Sequence, residues 1–174
     1  MSSDPTVFES DWRLFTFEVA PVIDYSIRAL CGKPYPGHKK GCPKFRSGHI
    51  GCPPCAPFFD REFDINLPIY AVVNRFDIKS HMEKLAARNP SWSERQLRCC
   101  LYWQATARKR LKEKIGCVLR LEQFKDYEST TCPEAMGVNV SETLEMIGII
   151  LEWPPMTVAH QVAIIAKKTE VPAR

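Results

Sequence analysis

Four of the chain's eight cysteines, Cys31, Cys42, Cys52 and Cys55, fall within one stretch, CGKPYPGHKKGCPKFRSGHIGCPPC. Five of the eight glycines share it, together with a run of prolines. Proline removes backbone donors and glycine loosens the chain, so the stretch cannot be an ordinary helix or strand. It reads as an irregular loop whose shape is fixed by something other than a hydrogen-bond ladder. Thiolates gathered around a metal are the simplest such fixture.

The spacing bears on which metal. Only Cys52 and Cys55 form a C-x-x-C knuckle, whereas a structural zinc ribbon normally offers two. Three cysteines are followed directly by proline, at Cys42-Pro43, Cys52-Pro53 and Cys132-Pro133. Cys-Pro also closes the bacterial ferredoxin run, where proline steers the chain away from the cluster. The balance leans to a 4Fe–4S cluster, with zinc as the alternative.

Other candidates lie outside that knuckle. Cys132, in Thr130-Thr131-Cys132-Pro133-Glu134, resembles a helix start with proline in the first turn, and suits a fourth ligand delivered from a distance. His38, inside the loop, is a ligand or an acid–base neighbour of the metal. A single helix through 91–115 would bring Cys100, Gln104 and Arg108 to one side, where the three could look into a polar pocket. Cys99 would point away from it. Cys117, beside Val118 and Leu119, reads as a small buried hydrophobe.

The elements that must hold these residues make one α+β domain over 1–174, a three- or four-stranded sheet packed with helices. A helical lead-in occupies 1–30, divided at Pro21. The Cys/Pro/Gly loop fills 31–57, and an α+β core spans 68–168. Strands are expected at 68–74, 117–121, 149–153 and 162–166. Ser80 with Glu83, and Ser91 with Glu94, have capping-box spacing. They open a short helix closed by Asn89-Pro90 and a longer one stopping at Gly116. A further short helix near 141–147 ends at Gly148.

Bulk properties narrow the class. The chain has 174 residues, 45% hydrophobic and 25% charged, with a net charge of +4. That charge is too mild to argue for nucleic acid by itself. No apolar run approaches the roughly 18–20 residues of a membrane span, and MSSDPTVFESDW lacks a basic n-region followed by an apolar core, so a secretory signal is not expected there. The expected setting is the cytoplasm, where cysteines bind metal more often than they form disulfides. Between Arg28 and Phe59 stand six basic residues and no acidic one. They would compensate a cluster of net charge roughly −2, and they could also meet phosphate or RNA.

Gly51-Cys52-Pro53-Pro54 and the later Cys-Pro-Glu-Ala-Met-Gly-Val-Asn-Val at 132–140 together carry a family resemblance. The chain resembles the uncharacterised, cysteine-containing "predicted metal-binding" proteins of bacteria and archaea. Cys52, Cys132, Met136 and Val140 match that pattern most clearly, and Cys31 and Cys42 less so, with Cys55 able to substitute. The resemblance implies metal binding and supplies no reaction. If four cysteines ligate, the centre is closed, and its role is electron transfer or structural. If three do, an open iron could act as a Lewis acid on a small-molecule substrate, with Gln104, Arg108 or His38 nearby. A zinc-stabilised module for RNA or an acidic partner is the alternative, and a thiol enzyme using Cys132 or the Cys52/Cys55 pair is a third.

Overall fold

A computed structural model describes residues 12–34 and 39–169. Its centre is a four-stranded antiparallel sheet made of β1 (Thr16–Glu18), β2 (Tyr70–Asp77), β3 (Tyr127–Thr130) and β4 (Val158–Lys167), in the order β1-β2-β4-β3. The α-helices are α1 (Phe59–Glu62), α2 (Ile78–Arg88), α3 (Glu94–Leu97), α4 (Gln104–Leu119) and α5 (Val140–Glu145). The α+β reading is therefore borne out, with four strands. Among the described residues no helix is long and apolar enough to cross a membrane.

The two central strands explain the layering. The middle of each carries a consecutive buried apolar run, Ala71-Val72-Val73 in β2 and Ala163-Ile164-Ile165-Ala166 in β4, as in a strand covered on both faces. Register sets Ala71 opposite Ile164 and Val72 opposite Ala163, and successive residues point to opposite faces. Ala71, Val73, Ile164 and Ala166 face one core with Phe59, Phe63, Met136, Val138 and Leu144. Val72, Ala163 and Ile165 face another, with Leu111, Ile115 and Val118 of α4. The 132–144 region thus packs on one face of the sheet, and α4 packs on the other.

Several local expectations are corrected. The lead-in is not a helix through 30: Trp12–Leu14 is a 3-10 turn, β1 follows, and Tyr25–Gly32 is a 3-10 helix. Residues 1–11 of that lead-in lie outside the described residues. The 91–115 helix is broken. A capping box forms at Ser93 and Gln96 rather than at Ser91 and Glu94, and α3 lasts only four residues. A 3-10 turn, Cys100–Tyr102, then leads to buried Trp103, stacked on Phe76 at 5.6 Å. Gly116 does not stop α4, whose Ile115 and Val118 are held by the core, so Cys117 is helical and half-buried rather than in a strand. Asp77, not Ser80, caps α2. The 149–153 run forms no strand, whereas 162–166 lies inside β4.

Candidate metal centre

The site is built on a latch between two distant segments. Val22 and Asp24 straddle an isolated β-bridge from Ile23 to Val138. Asn139 N–H donates to Val22 O and Asp24 N–H donates to Gly137 O, both at 2.8 Å. Val22 N–H in turn donates to Thr143 Oγ1 at 2.9 Å, and that hydroxyl donates to Asn139 O. The 3-10 helix Tyr25–Gly32 starts from this latch, with the Asp24 carboxylate accepting Ser26 N–H at its N-cap. It packs along the 3-10 turn Pro133–Met136. Its far end carries Cys31, and the N-cap of the turn is Cys132, whose side chain caps no backbone N–H. That leaves the thiol available to a ligand.

The cysteine loop returns to the same place. Cys42 N–H donates to Cys31 O at 2.8 Å, closing the loop at its base. Gly41 makes this approach possible: its φ is +79°, and a Cβ there would lie 2.7 Å from the Gly32 carbonyl carbon. Gly32 faces the Phe45 ring with similar closeness. Arg46 N–H donates to Pro53 O, and Cys52 O accepts Ala56 N–H, both at 2.9 Å. Arg28 then clamps the outgoing strand of the loop. Its Nη2 donates to Pro54 O at 3.1 Å and to Ala56 O at 2.7 Å, while the guanidinium lies 4.2 Å from the Phe58 ring centroid.

Electrostatics report the outcome of this folding. Burial pushes the Cys31 thiol pKa up, and Cys42, Cys52, Glu134 and Cys132 push it further. Burial likewise raises Cys52; Cys132 and Cys42 add to it, Lys44 opposes, and Cys55 adds less. Cys31 and Cys52 thus both lie within electrostatic reach of Cys42 and of Cys132, about a hundred residues along the chain from Cys31. Burial first, and then the neighbouring thiols, disfavour the Cys31 and Cys52 thiolates, and a bound cation would favour them. Among the described residues no three Cys, His, Asp or Glu side chains already stand in metal-holding geometry, so the thiols are neighbours rather than a closed cage. All eight cysteines are free thiols.

No family model, curated protein or solved structure matches this chain. The centre is therefore read from its own residues.

Cys55 is exposed, as Cys132 is; it bears on Cys52 less than Cys132 and Cys42 do, and is not among the groups acting on Cys31. His38 lies outside the described residues. His49 is exposed, and its Nδ1 accepts Gly51 N–H at 3.2 Å, so its visible work is local. The shared face of Cys100, Gln104 and Arg108 does not exist, because the helix that would align them breaks at 98–103. Cys100 and Arg108 are exposed and Gln104 is half-buried. They also belong to the α4 side of the sheet, away from the packing of Cys132's turn. Sequence reasoning counted Arg28 only as a charge and missed it as a clamp. It missed altogether that the Tyr25 ring packs directly on Gly137. The glycine after Met136 was the signal for that contact, since a turn ending in Gly invites a positive φ.

Proposed function

We propose that the protein carries a cysteine-ligated 4Fe–4S cluster held by Cys31, Cys42, Cys52 and Cys132. The observation that carries this reading is the convergence of three loop thiols with one thiol from the 132–136 turn, on backbone made rigid by the latch and by Arg28. The donor set fits the group: four thiols, their mutual repulsion, and basic neighbours that offset a cluster charge of roughly −2. When bound, the cluster supplies one-electron chemistry or a Lewis-acidic iron. The chain's own residues supply the cradle: Gly41 lets Cys42 meet Cys31, Arg28 fixes the exit of the loop, and Cys132 closes the set. A free, clustered cysteine set of this kind belongs in a reducing compartment such as the cytoplasm. The motif resemblance to predicted metal-binding proteins agrees with this reading.

The test is anaerobic purification with iron, sulfide and zinc analysis and a visible spectrum. About four irons and four sulfides per chain, with broad visible absorption, are expected. Colourless, iron-free protein after anaerobic reconstitution overturns the cluster. Stoichiometric zinc without sulfide, with unfolding on chelation, replaces it by a structural zinc site in which Cys55 joins Cys52 as a knuckle.

A further inference from the structure

Several cations near the centre form no ion pair among the described residues. They are Lys33, Lys39, Lys40, Lys44 and Arg46, all exposed. Each is close to a proposed ligand. Lys33 follows Cys31, Lys39 and Lys40 precede Cys42, and Lys44 follows it, all within three residues. The Lys44 charge is felt at the Cys52 thiol. Arg46 is tied through its backbone to Pro53, next to Cys52, and its φ of 57° sets its direction. The carboxylate that bears on Cys31 is Glu134.

A group of exposed cations next to a partly exposed centre has a specific use. Complementary charge steers association and raises on-rates by roughly 10–10³-fold, falling steeply with salt. Electron-transfer encounters are small and weak, so steering matters to them more than buried area does. Single-stranded nucleic acid, in contrast, needs exposed aromatic faces on which bases stack. Here the phenylalanines beside the cations already have partners: Arg46 lies over Phe45, Gly32 lies against the same ring, and Arg28 and Tyr25 pack on Phe58, which keeps 40% of its surface exposed.

We propose that Lys33, Lys39, Lys40, Lys44 and Arg46 form the docking surface for an acidic one-electron carrier protein, a reading that rests on the centre being a redox cluster. The reduced carrier gives one electron to the oxidised cluster, and no bond is made or broken. The experiment uses the reconstituted full chain and its K39E/K40E/K44E and K39Q/K40Q/K44Q variants, with cluster content verified by absorption and sulfide. Reduction is followed by stopped flow with an acidic plant-type 2Fe–2S ferredoxin, and separately with photoreduced 5-deazaflavin, a small uncharged donor. With the ferredoxin, a loss of about tenfold or more is expected for the Glu variant and a smaller one for the Gln variant. The wild-type rate should also fall as salt rises from about 0.01 M to about 0.5 M. Deazaflavin rates should stay unchanged. A loaded protein whose ferredoxin rate ignores both charge reversal and salt overturns the docking surface alone. So does one that binds single-stranded RNA more tightly than the carrier. A chain that takes up no cluster overturns the centre, and the docking surface with it.

Discussion

Tyr25 lies so close to Gly137 that a β-carbon on the glycine would stand 2.8 Å from Cδ1 of the ring. Gly137 also holds a φ of +91°, which side-chain-bearing residues rarely adopt. Both constraints act where the segment bearing Cys132 meets the segment leading to Cys31. Gly137→Ala should cost about 1–3 kcal/mol and lower metal content, read by thermal unfolding and metal analysis. Unchanged stability would mean that the two segments part without cost.

Cys132 and Cys55 should behave differently. Cys132→Ala removes the thiol that the distal turn brings to the loop, and should lose most of the bound iron and its visible absorption. Cys55→Ala removes a thiol that is not among the groups acting on Cys31, and should retain both. Iron and sulfide counts on the two variants decide this, and the reverse pattern would make Cys55 the fourth ligand.

Arg28 acts as a positioning residue. Truncating it strands two loop carbonyls and uncovers Phe58, so Arg28→Ala should destabilise by about 1–2 kcal/mol. It should also release metal to a competing chelator faster than wild type does. Arg28→Lys keeps the charge but not the double donation, and should recover little of the retention.

Asn74 offers a control from the other face. It is buried and donates from Nδ2 to Ala107 O at 3.0 Å, joining β2 to α4. Asn74→Ala should lower stability by about 1 kcal/mol and leave the cluster spectrum as it was. Arg108→Ala and Cys100→Ser should change neither measurement by much. A spectral shift in any of the three would reconnect α4 to the centre.

Acid should weaken the fold through Glu152. Its carboxylate accepts Thr157 N–H, Val158 N–H and the Thr157 hydroxyl, and these bonds lower its pKa from 4.5 to about 2. Folded below unfolded means that the unfolded chain takes up the proton first. The contribution is therefore complete above about 4.5 and is lost as pH falls toward about 2. Urea unfolding across that window should show a shallower acid loss for Glu152→Gln than for wild type.

Chemistry was more legible in the sequence than geometry. Cys31, Cys42, Cys52 and Cys132 stood out because few other uses explain cysteine beside proline and glycine; that Cys132 lies within electrostatic reach of Cys31 and Cys52 was not legible in the spacing. The central strands were legible because a buried strand announces itself by β-branched runs, as Val72-Val73 and Ile164-Ile165 do. The edge strands were not: Thr16–Glu18 and Tyr127–Thr130 are too short to set a period, and apolar residues around β1 imitate a helical one. Helical spacing also overreached through Cys99–Trp103, where stacking of Trp103 on Phe76 outweighs local propensity. Sidedness was beyond reach. Periodicity tells which residues of α4 are buried, but only strand register tells which face of the sheet they cover.

The latch at Ile23 and Val138 has a consequence for how the molecule resists unfolding. A metal bound by both Cys31 and Cys132 would cross-link the chain around a circuit of about a hundred residues, enclosing β2, α4 and β3. Closing a circuit of that length removes denatured-state freedom worth about 4–5 kcal/mol in the chain-entropy picture. The ion would therefore act as a clasp on the whole domain. Amides of α4, on the far side of the sheet and touching no ligand, would exchange with solvent faster once it is stripped.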